Sequence, residues 1–188
     1  MNEIKITLPD GSVAVKQAGT IVRDILLSWD PEKARTAVVA RLNGALVDLS
    51  HPVEKDATLD VVGITSEEGL SALRHSISHV MAQAVQDLFE GVKVTIGPSI
   101  EDGFYYDFEY ENTFTPEDLE KIEKRMAEIV AADHPFERRE VSREEAIELF
   151  QKRGENYKVE LITDLPGEVK TVSLYTQGDF VDLCRGPH

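Results

Sequence analysis

The stretch that most constrains the fold is residues 70–89, LSALRHSISHVMAQAVQDLF. Its apolar side chains recur every three or four positions, which is typical of one face of an α-helix. That stripe consists of Leu70, Leu73, Ile77, Val80, Met81, Ala84 and Leu88. Because such a stripe needs a hydrophobic surface to pack against, the pattern predicts a central helix in the core of a domain.

Two histidines, His75 and His79, lie four residues apart on another face of this helix. That face is roughly 160° from Ile77 on the helical wheel, so neither histidine is predicted to be a core residue. Between Ser71 and Gln86 the only charged residue is Arg74, whereas a solvated face would carry several. The second face is therefore predicted to be covered or to line a cleft.

The only cysteine, Cys184, is followed four residues later by His188. We interpret His75-x3-His79 and Cys184-x3-His188 as two halves of one site, since a histidine pair on a sheltered, uncharged face needs partners and the far end of the chain supplies them. The alternative is a pair of unrelated surface histidines and a structural cysteine, because spacings this short recur by chance.

Composition excludes several classes of protein. The net charge of −15, from 20 Lys plus Arg against 35 Asp plus Glu, argues against non-specific wrapping of nucleic acid, so any RNA contact is expected to be local. A single cysteine rules out an internal disulfide framework. The sequence has neither a signal-peptide pattern at its N-terminus nor 18 uninterrupted apolar residues. We therefore expect a soluble cytoplasmic protein without membrane contact.

Residues 1–64 predict a small β-grasp, ubiquitin-like domain. Alternating apolar residues flank a turn at Pro9–Ser12, and Asn43-Gly44 predicts a second hairpin. Thr20 is predicted to cap one short helix between the hairpins, and residues 59–64 to form the last strand. The ionisable groups are scattered, which favours a docking or structural role over a ligand site.

Residues 65–188 predict a second domain, in which helices pack on a sheet. Ser66 or Thr65 is predicted to cap the histidine helix, and capping boxes predict helices that begin after Thr115 and Ser142. Predicted strands cover residues 92–96, 103–108, 136–141, 157–162 and 169–175. The chain is thus assigned to the α+β class, with a β-grasp domain followed by an α/β domain that has a central buried helix and an antiparallel or mixed sheet.

Four segments, in this order, resemble the N-terminal region of bacterial threonyl-tRNA synthetases. They are Arg74-His75-Ser76-x-x-His79, the run from Ile96-Gly97-Pro98 to Gly103-Phe104-Tyr105-Tyr106-Asp107, Arg153-Gly154-Glu155-Asn156-Tyr157-Lys158, and Val181 to His188. The opening Ile6–Ser12 resembles the ubiquitin-like TGS domain of that family. The resemblance covers essentially the whole chain.

The resemblance implies an editing fragment. The family ligates threonine to tRNA with ATP, and its second domain hydrolyses serine wrongly attached to the threonine tRNA. The synthetic core, with its ATP, magnesium and zinc, is expected beyond His188. Serine and threonine differ by one methyl, which is worth only about 1–3 kcal/mol in a binding pocket, so a second sieve is needed. The implied partners are the 3′ end of tRNA carrying serine and the rest of the synthetase, and the fragment alone is expected to be a monomer.

The resemblance also assigns site residues, namely His75, His79, Lys158, Asp182, Cys184 and His188. The imidazole of His75 or His188 is the expected general base. Lys158 is expected to stabilise the oxyanion or the leaving ribose oxygen. Asp182 either orients a histidine or binds the serine ammonium, and Cys184 either holds a water molecule or shapes the pocket.

Three alternatives stay open. A zinc-dependent deacylase like the editing domains of the alanyl-tRNA synthetase group would use His75, His79, Cys184 and His188 as ligands. Metal is not expected, because Lys158 supplies an alternative to a Lewis acid. A non-catalytic module would dock on a partner protein or on the tRNA acceptor stem, and a cysteine hydrolase would use Cys184 with a histidine base.

Overall fold

The computed structural model describes residues 2–188. They form two compact units: a first unit of residues up to Leu73 together with Gly186–His188, and a second unit, Arg74–Arg185. Each unit contains helices and strands, which confirms the predicted α+β class. The domain boundary predicted between residues 64 and 65 stays a prediction. Over the described residues, no helix combines the length and the apolar character that crossing a membrane would need.

The first unit is built on a five-stranded sheet. Its strands are β1 (Glu3–Thr7), β2 (Val13–Gln17), β3 (Thr20–Ile21), β4 (Ala37–Leu42), β5 (Ala45–Val47), β6 (Pro52–Val53) and β7 (Ala57–Gly63), and its helices are α1 (Val22–Trp29) and α2 (Pro31–Thr36). The sheet order is β2-β1-β7-β4-β5, with β1 and β7 parallel and the other neighbours antiparallel. Helix α1 buries Val22, Ile25 and Leu26 in the same core as the sheet residues, as a β-grasp domain does.

Local signals explain most of this unit. Asn43 and Gly44 both have positive φ, 49° and 85°, which is the conformation of the tight hairpin turn that their sequence predicts. The predicted cap at Thr20 is wrong, because Thr20 lies in β3 and its hydroxyl donates to the Gln17 carbonyl. Helix α2 was not predicted, although Asp30 caps it by accepting hydrogen bonds from the first-turn N–H groups and Pro31 follows at the first helical position.

Helix α3 (Glu67–Leu88) is the helix predicted from the apolar stripe. The Ser66 hydroxyl accepts a 3.1 Å hydrogen bond from the Gly69 N–H, which confirms one of its predicted caps. Its middle turns are buried, whereas Leu70 and Leu88 near its ends are 36% and 39% exposed. The prediction that these two leucines face the core is wrong. A helical wheel gives the direction of a side chain, but it does not show how far along the helix the packing partners extend.

The second face of α3 is covered, as its lack of charge predicted. His79 is only 3% exposed, and its ring lies 5.9 Å from that of Phe180, 6.4 Å from Phe136 and 6.5 Å from Tyr106 between centroids. The prediction that neither histidine is a core residue is therefore wrong for His79, while His75 is half-buried. Helix α3 is therefore buried on two faces, and only the apolar one is visible as a periodic pattern in the sequence.

The remaining elements belong to the second unit. Its strands are β8 (Lys93–Val94), β9 (Ser99–Ile100), β10 (Gly103–Phe104), β11 (Phe108–Glu109), β12 (Glu137–Ser142), β13 (Thr171–Gln177) and β14 (Phe180–Leu183), and its further helices are α4 (Pro116–Ala131), α5 (Arg143–Lys152) and α6 (Asn156–Thr163). Strands β12, β13 and β14 form an antiparallel sheet in that order. β8 pairs with β11, and β9 with β10, so the predicted strands at 92–96 and 103–108 are reduced to two-residue pieces.

Helices α4 and α5 begin where their caps predict. Thr115 and Asp118 form a reciprocal capping box, and the Ser142 hydroxyl accepts from the Glu145 N–H. The strand predicted at residues 157–162 is wrong, because this segment is the helix α6. Its apolar residues alternate over a run too short to separate the two periods, and Ile162 packs with Phe150 of α5 in one core.

Candidate functional site

Five of the predicted site residues meet in the second unit, and they come from different elements. Helix α3 supplies His75 and His79, α6 supplies Lys158, β14 supplies Asp182, and Cys184 follows β14 directly. Helices α3 and α6 and strand β14 are far apart in sequence. The fold, and not a local motif, therefore brings these side chains together.

Asp182 lies at the centre of the site and is buried. Its Oδ1 accepts a hydrogen bond from the Lys158 ammonium. Its Oδ2 accepts a 2.9 Å hydrogen bond from the Tyr106 hydroxyl and lies 3.4 Å from His79 Nε2. Both carboxylate oxygens are therefore occupied, and the carboxylate holds three side chains in fixed relation to one another.

Tyr106 was not predicted as a site residue. Its ring packs on Gly97, where a Cβ would lie 2.0 Å from the ring, so only glycine permits this approach. The Ser78 hydroxyl donates to the Gly97 carbonyl at 3.0 Å and ties that segment to α3. Burial, followed by the charge of Asp182, raises the pKa of the Tyr106 hydroxyl, which therefore stays protonated and donates to Asp182.

Lys158 is 1% exposed. Besides its hydrogen bond to Asp182, its Nζ lies 3.2 Å from Glu155 Oε2. The rings of Phe150 and Phe180 surround it, with centroids 5.5 and 5.8 Å from Nζ. Since a charge removed from water needs counter-charges, the two carboxylates explain how an ammonium persists in this apolar setting.

The two histidines of α3 differ in chemistry. Burial, and then the Coulombic interactions with His75 and Lys158, lower the pKa of His79 to about 2. Near neutral pH, His79 is thus an uncharged imidazole beside Asp182, and it is too weakly basic to take a proton from water. Its ring meets that of His75 edge-on, with centroids 4.9 Å apart.

His75 and Cys184 form the accessible part of the site. Both are half-buried, and Cys184 Sγ lies 3.4 Å from His75 Nε2. The backbone of Cys184 is held against β13, since its N–H donates to the Ser173 carbonyl at 3.2 Å and its carbonyl accepts from the Ser173 hydroxyl. The Cys184 thiol therefore lies beside an imidazole nitrogen, and neither side chain is fully buried.

The sequence is similar to those of known proteins over its whole length. Residues 4–63 match the TGS domain family. Over all 188 residues the chain is 53% identical to the threonine–tRNA ligase of Pelobacter propionicus and 54% identical to that of Geobacter sp. strain M21. It is 51% identical over 183 residues, 97% of its length, to the threonine–tRNA ligase of Hahella chejuensis. The chain is homologous to the N-terminal part of threonyl-tRNA synthetases.

The homology to threonyl-tRNA synthetases confirms the resemblance drawn from the sequence motifs. Each of these relatives is much longer, and the chain spans 29% of its length. The ligase activity in their names is therefore a property of the longer proteins.

His188, the sixth predicted site residue, belongs to the first unit. Its backbone N–H donates a 2.7 Å hydrogen bond to Asp48 Oδ1. Within the synthetase-like second unit, the site consists of the other five residues together with Tyr106 and Glu155. Tyr106 and Glu155 both lie inside motifs that carry the resemblance. Neither was predicted as a site residue, because a tyrosine in a predicted strand and a glutamate after a glycine do not by themselves indicate a functional site.

Three of the site residues fit a metal ion. His75, His79 and Cys184 offer ligand atoms that lie within 4.8 Å of one another. Two imidazole nitrogens and a thiolate are donors that zinc accepts. The chemistry of the donor set thus keeps the zinc alternative open for this chain.

Proposed function

We propose that the second unit is an aminoacyl-tRNA deacylase that hydrolyses the ester between serine and the 3′ end of threonine tRNA. The homology to threonyl-tRNA synthetases supports the choice of tRNA. The observation that carries the proposal is the half-buried His75–Cys184 pair in front of a buried Asp182 with both oxygens occupied. Core packing does not require such a group of polar side chains, whereas proton transfer does.

His75 is the general base of this proposal. It takes a proton from a water molecule as the water oxygen attacks the ester carbonyl, and then gives that proton to the ribose oxygen as the carbon–oxygen bond breaks. The products are free serine and tRNA with its terminal hydroxyl restored. His79 cannot share this task, because its pKa of about 2 keeps it from accepting a proton near neutrality.

The remaining side chains hold and polarise the site. Asp182 orients the neutral imidazole of His79, which packs against the ring of His75. The buried charge of Lys158 stabilises the negative charge that develops on the ester, and a low-dielectric surrounding strengthens that effect. The Cys184 thiol narrows the space beside His75, where a pocket that excludes the threonine methyl would admit serine.

His188 stays a second candidate base, since it follows Cys184 by four residues in sequence. The first unit is proposed to dock on or support the rest of the synthetase. Its TGS match supports this role, and the rest of the synthetase and threonine tRNA are the partners that we propose for the chain.

The test is single-turnover hydrolysis of seryl-tRNA by the wild-type chain and by His75→Ala. We expect a loss of about 10²- to 10⁴-fold for this variant, as for removal of a general base. His134→Ala is the matched control, because His134 is an exposed histidine of the same unit. Equal rates for the two variants would remove His75 from the mechanism.

A zinc-dependent deacylase is the second candidate, favoured by the donor set of His75, His79 and Cys184. If zinc binds there, it supplies an activated water molecule. The same assay distinguishes the two proposals. The metal-free mechanism predicts full activity after incubation with a chelator, whereas stoichiometric zinc that leaves together with the activity would establish the metal.

A further inference from the structure

Glu155 is the buried acid that the proposed mechanism leaves without a task. We infer that it is a positioning residue, which acts on the proposed deacylation site through Lys158. This inference rests on the proposed function. Glu155 lies at the N-cap of α6, its two carboxylate oxygens face Arg153 and Lys158, and it belongs to a row of side chains whose charges alternate in sign.

The backbone delivers Glu155 to the start of α6. Gly154 has a φ of +72°, a left-handed conformation that favours glycine and ends α5 sharply. The Glu155 N–H then donates to the Phe150 carbonyl at 2.9 Å, and Glu155 occupies the N-cap of α6. A side-chain oxygen at this position can accept hydrogen bonds from the first-turn N–H groups. Within residues 2–188, its side chain makes no such capping bond.

Both carboxylate oxygens of Glu155 are directed to cations instead. Oε1 accepts a 2.8 Å hydrogen bond from Arg153 Nε, and Oε2 lies 3.2 Å from Lys158 Nζ. Glu155 and Lys158 are buried, whereas the Arg153 side chain is partly exposed. The Glu155 carboxylate is thus paired with cations and does not cap the helix, and the ammonium that bonds to Asp182 gains a second counter-charge.

Glu155 completes a row of charges that alternate in sign. The row runs from Arg153 near the surface through Glu155 and Lys158 to Asp182, and Asp182 contacts Tyr106 and His79. Two cations and two anions balance. Without Glu155, one carboxylate alone would hold the Lys158 ammonium, and the orientation of Asp182 toward His79 would be less restricted. Because errors of position in a catalytic group reduce rates steeply, the chemical step is expected to suffer and tRNA binding is not.

The experiment compares Glu155→Gln with Glu160→Gln, an exposed glutamate on the same helix. For Glu155→Gln we expect kcat for seryl-tRNA hydrolysis to fall about 10- to 100-fold, with KM within about twofold of wild type. Glu160→Gln is expected to match wild type in both. A purely structural role would lower Tm without changing kcat at a temperature well below it.

A double-mutant cycle tests the route through Lys158. If Glu155 acts by positioning Lys158, Glu155→Gln causes no further loss in a Lys158→Met background. Additive losses would overturn the inference, as would a kcat for Glu155→Gln equal to that of Glu160→Gln. Should Glu155→Gln fail to fold, Arg153→Gln replaces it; we expect a several-fold loss of kcat, and unchanged kcat would overturn the inference.

The two proposals fail in different ways. A wild-type chain without seryl-tRNA hydrolysis would overturn the proposed function and this inference with it. An active wild-type chain whose activity is unaffected by Glu155→Gln and Arg153→Gln would overturn the inference alone.

Discussion

The site has a buried half and an accessible half, and they are built on different principles. In the buried half, Lys158, Asp182 and His79 are almost entirely removed from water, and the charge of Lys158 is matched by that of Asp182. In the accessible half, His75 and Cys184 are half-buried and touch each other. Paired charges and hydrogen bonds hold the buried side chains in place, whereas we propose that His75 in the accessible half exchanges a proton with bound substrate.

The largest expected effect is the loss of stability when the buried charge of Lys158 is removed, compared with the loss for an exposed ion pair. Lys158→Met leaves Asp182 buried without its cation, so we expect the free energy of unfolding to fall by about 3–5 kcal/mol. The control is Arg125→Met, which removes a partner of Asp87 from an ion pair whose side chains are both 37% exposed, and should cost about 0–1 kcal/mol. Urea denaturation measures both losses, and similar values would contradict the claim that burial makes the Lys158–Asp182 pair important for stability.

The pH dependence of stability tests the buried half through His79. Its pKa is lowered to about 2 in the folded chain, whereas an unfolded histidine titrates near 6.5. As pH falls below about 6.5, the unfolded chain binds a proton that the folded chain does not, so this group makes stability fall with decreasing pH. Between pH 6.5 and 5 the expected loss from His79 is about 1.5 kcal/mol.

The measurement for His79 is urea denaturation at both pH values, for the wild type and for His79→Asn. The variant should lack that part of the pH dependence, since the other titrating groups are shared. His134→Ala, which changes an exposed histidine, should keep the wild-type dependence. An unchanged slope in His79→Asn would show that the imidazole is not held neutral by burial.

The smallest expected effect belongs to the accessible half. Cys184→Ser keeps a small polar group beside His75, so a thiol that shapes the pocket should lose roughly tenfold or less in the rate of seryl-tRNA hydrolysis, which is about 1.4 kcal/mol. Its stability should change little, because Cys184 is only half-buried. Two results together would instead assign Cys184 as a covalent nucleophile: nearly complete loss of activity in Cys184→Ser, and an acyl-enzyme trapped by rapid quench of the wild type.

Features set by a few neighbouring residues were predictable from the sequence. The Asn43-Gly44 turn and the caps at Ser66, Thr115 and Ser142 depend on interactions within about four residues, and the structure contains all of them. The same reasoning missed the cap at Asp30, although the Asp-Pro pair was visible. Local rules therefore account for these four features.

Features set by tertiary packing were not predictable in the same way. Residues 157–162 form a helix because Ile162 packs with Phe150, a contact that an alternating pattern of six residues does not indicate. The burial of His79 depends on rings from Phe136 and Phe180, which are distant in sequence. The family resemblance identified Lys158 and Asp182 as site residues without giving their contact, and it did not identify Glu155 or Tyr106 as their partners.

The most direct test of the proposed function is hydrolysis of seryl-tRNA and threonyl-tRNA, both on threonine tRNA, by the wild-type chain in parallel. We predict release of serine at a rate well above the uncatalysed rate, while threonine stays attached. Release of neither amino acid, or release of both at the same rate, would contradict an editing site built around His75 and Cys184.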